Sequence, residues 1–243
     1  MFPNKIKLIT FDATNTLLKF CTTPWEYYSK VASENGYKVS EDVIKDQFYK
    51  SYRVFSQEYP NFGRETIHWD NWWRRIVHAT FNDQIRDTAA INRIATALIE
   101  DYKTPKCWCH AKGSLELLRY LKKHGVTLGV ISNFDPRLHE ILHKMCVHSY
   151  FKFVLTSYEA GYSKPDRRIF ESAVKLSSAP VLPHECLHIG DDFKKDFEGA
   201  KGAGWHGILV RDNKSSLEQL NPKYQCLNLI ELKGRFHSEK MFL

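Results

Sequence analysis

Residues 9–18 read "ITFDATNTLL". The apolar run Ile6-Lys7-Leu8-Ile9-Thr10-Phe11 stops at a carboxylate, Asp12, and four small or polar residues, Ala13-Thr14-Asn15-Thr16, separate it from Leu17. A short β-type run that delivers an acid to a polar turn has the form of an active-site strand end. Beyond Leu18 the period changes. "PWEYYSKVASENG" (24–36) has a proline near its first turn and stops at Gly36, a helix envelope. A second helix opens at Ser40-Glu41-Asp42-Val43 and runs to about Tyr59. A third, around 66–81, carries Trp69, Trp72, Trp73, Ile76 and Val77 at helical spacing, and a fourth covers roughly 87–103. Residues 20–105 thus read as a nearly all-helical block, with the tryptophans expected to pack inside it.

After that block strands and helices alternate. Helices are expected at 111–124, 136–146, 166–178 and 192–203; strands at "VTLGVIS" (126–132), "FKFVLTS" (151–157), "CLHIG" (186–190), "HGILV" (206–210) and "CLNLI" (226–230). Such alternation predicts an α/β fold with a doubly wound, mostly parallel sheet covered by helices on both faces. Residues 1–19 and 106–243 would form this α/β core domain, and the helical block at 20–105 would be an insertion after the first strand.

The bulk composition narrows the class. A chain of 243 residues with 43% hydrophobic and 26% charged residues has the composition of a globular domain. Its formal charge of +7 suits anionic ligands. The basic residues are scattered, and no stripe or module supports nucleic-acid binding. Six cysteines are too sparse for a disulfide framework in a chain this long. Cys107-Trp108-Cys109-His110 invites a zinc reading, but no second Cys/His pair at suitable spacing completes a four-ligand site. Nothing in the sequence approaches a membrane span or a secretory signal, so an intracellular, non-membrane protein is expected.

The chemistry-bearing residues fall at the ends of the strands, where open α/β sheets bind ligands. The first strand ends in Asp12 and Thr14, the second in Ser132-Asn133. "GYSKPD", with Lys164, follows the third; Gly190-Asp191-Asp192, with Asp196 one turn on, follows the fourth. Taken singly, each has a plainer explanation: a turn former, an ordinary Ser-Asn turn, or acids at a helix N-terminus. Together they supply a nucleophilic carboxylate, a hydroxyl, a cation and a carboxylate cluster, the parts that bind a phosphoryl group and a divalent cation.

In this order the four signatures resemble those of the haloacid dehalogenase superfamily of hydrolases, and the helical block resembles that family's cap domain. The resemblance implies a site between core and cap and a small phosphorylated substrate. It implies that Asp12 is the nucleophile that forms an aspartyl-phosphate and that Lys164 neutralises the charge around it. Ser132 and the Asn133 amide would cradle phosphoryl oxygens. Mg²⁺ would be held by Asp12, the backbone carbonyl of Thr14 and Asp191, with Asp192 and Asp196 steadying the metal shell.

Thr14 departs from the family's phosphatase pattern, which has a second Asp there to protonate the leaving oxygen and activate water. A hydroxyl does neither at neutral pH, and loss of such help costs roughly 10²–10⁴ in rate. Slow turnover limited by breakdown of the intermediate is therefore expected. Two other readings stay open: a metal-independent 2-haloacid dehalogenase, which also lacks the second acid, and a non-catalytic binding or regulatory protein that kept the fold.

Overall fold

The computed structural model describes residues 6–177, 180–211 and 220–238, and the chain packs as two compact units. One consists of residues up to 19, 109–133 and from 145 onward; the other of residues 20–108 together with 134–144.

The first unit is built on a six-stranded parallel sheet. Its strands in chain order are β1 (Leu8–Phe11), β4 (Thr127–Ser132), β5 (Phe153–Thr156), β6 (Cys186–Gly190), β7 (His206–Val210) and β8 (Gln225–Cys226), and they lie side by side as β5-β4-β1-β6-β7-β8. Every residue of β1 and β6 is buried, which is why both read as near-continuous apolar runs rather than alternating ones. The helix Ser114–Lys123 buries Leu117, Leu118 and Leu121, and the helix Arg167–Leu176 buries Ile169, Phe170 and Ala173. Phe170 joins Leu8, Ile131, Leu155 and Trp205 in one apolar cluster. Strand order reverses at β1, with β4 and β5 to one side and β6, β7 and β8 to the other. The crevice at the carboxyl ends of such a reversal is the ligand site of open parallel sheets.

Two regions differ from expectation. The strand expected over 226–230 is cut short: only Gln225–Cys226 pairs with β7, and the chain turns into a helix, Leu229–Ser238. The cause is Asn228, whose Oδ1 accepts the backbone N–H groups of Ile230 and Glu231, each at 3.1 Å, and so starts a helix where the apolar pattern suits a strand. Two short strands, β2 (Leu18–Phe20) and β3 (Trp108–His110), pair with each other as a separate ladder. The chain passes from one unit to the other within them, between 19 and 20 and between 108 and 109.

The second unit is helical: Pro24–Glu34, Glu41–Glu58, Trp69–Phe81, Thr88–Asp101 and Arg137–Lys144 are its main helices. Side-chain oxygens of Thr23, Ser40 and Asp87 cap three of them by accepting first-turn N–H groups. Trp72 is 1% exposed, and its indole N–H donates to the carbonyls of Phe55 and Tyr59. Trp72 is thus packed inside the unit, while Trp69 and Trp73 are half-buried.

Residues 134–144 follow a strand of the other unit in sequence but pack here. Asp135, wholly buried, accepts Arg137 Nε and Nη2 at 2.9 and 2.7 Å and the indole N–H of Trp73 at 2.7 Å. The Arg137 guanidinium also lies over the rings of Trp69 and Trp73, 5.2 and 5.0 Å from their centroids. An ion pair with both carboxylate oxygens occupied and aromatic cover is the geometry in which a buried pair offsets its desolvation. No helix among the described residues is long and apolar enough to cross a membrane.

Candidate active site

Asp12 follows β1 directly and is 9% exposed. Its backbone N–H donates to the carbonyl of Ile189 on β6 at 2.9 Å, which extends the sheet pairing to the carboxylate itself. The next residues form a tight loop in which the N–H groups of Leu17 and Leu18 both donate to the Ala13 carbonyl. Asn15 holds φ 59°, the left-handed region that asparagine tolerates better than most side chains. Thr14 is half-buried in this loop.

Lys164 is 3% exposed, and all three donors of its ammonium group are used. Nζ donates to Asp12 Oδ1 at 2.8 Å, to Asp196 Oδ1 at 2.6 Å and to the carbonyl of Ile131 at 2.7 Å. The backbone of Lys164 is fixed as well: its N–H donates to Asn133 Oδ1 at 2.7 Å, and Asn133 Nδ2 donates to its carbonyl at 2.9 Å. The side chain of Asn133 thus holds the lysine loop in place. Ser132, 2% exposed, ends β4 beside it.

After β6 the acids divide. Oxygens of Asp12, Asp191 and Asp196 all lie within 4.8 Å of one another, and Asp192 is outside this group. The Asp192 carboxylate caps the next helical turn by accepting the Lys195 N–H at 2.9 Å, and it pairs with Lys195 Nζ at 3.0 Å. Its backbone N–H donates to Asp196 Oδ2 at 2.9 Å. The turn Phe193–Glu198 is wound as a π-helix, with the N–H of Phe197 reaching back to the Asp192 carbonyl. Such a turn changes which side chains face inward relative to an α-helix, and Asp196 is buried. Gly190 leaves room for it, because a Cβ at that position would land on the Asp196 carboxyl group.

One member has no counterpart among the motif residues. His188, wholly buried in the middle of β6, lies 2.8 Å through Nδ1 from Thr10 Oγ1 and 3.2 Å through Nε2 from Asp196 Oδ1. The arrangement that satisfies all three groups has Nε2–H donating to Asp196 and Nδ1 accepting the Thr10 hydroxyl. Burial, and then the Lys164 ammonium, hold the imidazole below its usual pKa and so neutral. The sequence signal was a polar pair, Thr10 and His188, within otherwise apolar strands.

The site therefore holds three carboxylates against one ammonium, since His188 adds no charge. The imbalance is visible in Asp191: burial, then the charges of Asp12 and Asp196, push its carboxyl up to about 7. Asp196 goes the other way. Burial alone would raise it, but the Lys164 ammonium and the His188 hydrogen bond hold it well below the usual carboxylate range. Lys164, although burial opposes its charge, is kept protonated by Asp12 and Asp196. Excess negative charge carried on closely spaced oxygens fits a hard divalent cation. Asp12 and Asp191 are the better-placed donors, because both Asp196 oxygens already accept hydrogen bonds.

Comparison with known proteins follows the same line. A family model described as haloacid dehalogenase-like hydrolase matches residues 6–204. The chain is 40% identical over 220 residues to the rhythmically expressed gene 2 protein of Drosophila melanogaster, covering 86% of this chain and 84% of that one. It is 37% identical over 210 residues to haloacid dehalogenase-like hydrolase domain-containing protein 3 of Bos taurus, covering 85% and 82%. A HAD-hydrolase from Bacillus subtilis, YfnB, whose crystal structure was determined bound to magnesium, has a similar fold with a TM-score of 0.70 at 16% identity, covering 98% of this chain and 100% of that one. With its parallel sheet, its strand-end acids and these relatives, the chain belongs to the haloacid dehalogenase-like hydrolase family.

Proposed function

We propose that the chain is a Mg²⁺-dependent phosphohydrolase that works on a small phosphorylated molecule through an aspartyl-phosphate on Asp12, and that its turnover is slow. The observation that carries this reading is the Asp12 carboxylate held by Lys164 Nζ at 2.8 Å, with Asp191 and Asp196 close by at the carboxyl ends of adjacent strands. Bound magnesium would supply electrostatic stabilisation of the phosphoryl oxygens. Asp12, the Thr14 carbonyl and Asp191 would hold it, with Asp192 and Asp196 supporting the shell.

In the first half-reaction the Asp12 oxygen not bonded to Lys164 attacks phosphorus, and the bond to the leaving oxygen breaks with its electron pair. Lys164 offsets the charge on Asp12 and on the incoming phosphoryl group, while Asp196 and His188 fix the ammonium in place. Ser132 meets a phosphoryl oxygen with its hydroxyl. The Asn133 amide would join it on the phosphoryl oxygens, while the Asn133 side chain keeps the Lys164 backbone in register. In the second half-reaction water attacks the phosphoryl group and frees Asp12. Position 14 offers no carboxylate to protonate the leaving oxygen or to take the proton from water. A leaving group that departs unprotonated, such as an aryl oxide, suits this site best.

Thr14 is also the one observation that favours a second reading, a dehalogenase or a non-catalytic binding protein. Release of phosphate from p-nitrophenyl phosphate, with Mg²⁺ and with a chelator, separates the three when run beside chloride release from 2-chloropropionate. Slow, Mg²⁺-dependent phosphate release that is lost in Asp12→Asn is expected. Chloride release unaffected by the chelator would replace the proposal with the dehalogenase; neither activity would leave the binding protein.

A further inference from the structure

Within the helical unit, a cavity of about 110 Å³ lies among the rings of Phe20, Trp73, Trp108 and Phe134. All of its lining residues belong to that unit. The space is partly open and walled by aromatic rings, the form in which apolar ligand sites occur. Its volume would take about three or four waters at roughly 30 Å³ each, but a buried water needs two to four polar partners. This wall is almost entirely carbon. Empty apolar cavities of about 150 Å³ stay dry and take up a single benzene ring, so one ring is the scale of ligand here.

The indole N–H groups of Trp73 and Trp108 donate to Asp135 and to the Tyr102 carbonyl, and three other lining residues carry polar groups. Two are the phenols of Tyr28 and Tyr102. Neither hydroxyl makes a hydrogen bond among the described residues, and Tyr28 is only 4% exposed. Neither hydroxyl is a buried polar atom left without a partner, so each opens on accessible space where a ligand can meet it. Burial raises both phenols above their usual pKa, so each remains an uncharged O–H that can donate or accept. The third is Arg137, whose charge is already balanced by Asp135 through Nε and Nη2. An anionic ligand would find no unpaired cation here and would pay its desolvation in full.

We propose that this cavity is a binding site for one uncharged aromatic ring bearing a single hydroxyl, a phenol-like compound. The ring fills the aromatic walls, and its hydroxyl meets Tyr28 or Tyr102. The inference does not depend on the phosphohydrolase reading, because it is tested by binding alone.

The experiment titrates phenol, benzene and benzoate into the full chain, follows tryptophan fluorescence and confirms stoichiometry by calorimetry. Phenol is expected to bind saturably at one per chain with a Kd of about 1 mM or lower. Benzene should bind more weakly and benzoate not at all. Tyr28→Phe and Tyr102→Phe remove only an unpartnered hydroxyl and leave the packing intact. At least one should weaken phenol about three- to tenfold, the worth of one neutral hydrogen bond, without changing benzene. Val77→Phe, which adds bulk at the lining, should abolish both; if it fails to fold, the two tyrosine variants decide alone. Absence of saturable phenol binding overturns the proposal. So does equal affinity for phenol and benzene that neither tyrosine variant alters, or preference for benzoate.

Discussion

Replacing Lys164 by methionine keeps the volume of the side chain and removes its charge. The wild-type ammonium makes three buried hydrogen bonds, two of them to carboxylates, at 2.6–2.8 Å. Deleting it leaves Asp12, Asp191 and Asp196 facing one another with no counter-charge. Breaking a buried pair by removing one partner costs about 3–5 kcal/mol. At roughly 2–4 °C per kcal/mol for a chain of this size, the melting temperature should fall by about 6–20 °C. The sign of the pH dependence follows from Asp196. In the wild type its depressed pKa contributes stability that is present above the unfolded value near 3.9 and is lost as pH falls through the folded value. Without Lys164 the carboxyl pKa values rise above the unfolded value, so the variant loses stability as pH rises between them. The deficit should therefore be larger at pH 8 than at pH 5. Magnesium, which restores positive charge, should raise the melting temperature of Lys164→Met more than that of the wild type. Differential scanning calorimetry at the two pH values, with and without Mg²⁺, reads all of this. A loss below about 2 °C at pH 8, or one that does not change with pH, would refute the reasoning that these carboxylates form an ionised network around one cation.

Three further outcomes are expected. Thr14→Asp should speed breakdown of the aspartyl-phosphate by roughly 10²–10⁴, measured by single-turnover kinetics; no acceleration would mean that the missing acid does not limit the reaction. Because Asp191 sits at about 7, Mg²⁺ must displace its proton below that pH. Affinity should fall about tenfold per pH unit below 7 and level off above it, with close to one proton released per ion at pH 6 in calorimetry, and Asp191→Asn should remove the slope. Gly190→Ala should push the Asp196 carboxyl aside, costing about 1–3 kcal/mol in chemical denaturation and about 10–100-fold in Mg²⁺ affinity.

What could be read from the sequence was whatever depends on local pattern. β1, β4 and β6 are buried runs that end in polar residues, and Asp12, Ser132 and Asp191 follow from their positions at the strand ends. What depends on three-dimensional rephasing was not legible. Asp192 and Asp196 look equivalent as acids near one helix start, yet a π-helical turn sends one to cap the helix and the other into the site. His188 hid inside a strand that reads as apolar, because its partners Thr10 and Asp196 come from other parts of the chain. Asn133 has a task its position in the sequence does not reveal: its side chain holds a backbone 31 residues away. Residues 134–144 read as an ordinary crossover helix, yet they pack in the helical unit, where Asp135 and Arg137 meet Trp73 and Phe134 meets Trp108. In "CLNLI" one asparagine at position 228 outweighs the β-type pattern around it.

The central claim is that Asp12 is a working nucleophile whose phosphorylated form breaks down slowly. A rapid-quench time course with an aryl phosphate tests it most directly, run with and without Mg²⁺ and with Asp12→Asn as the blank. The expected result is a Mg²⁺-dependent burst of the aryl alcohol near one equivalent per chain, followed by a slow linear phase, with neither in the blank. A linear course without a burst would contradict slow breakdown, and a burst that survives Asp12→Asn would contradict the nucleophile itself.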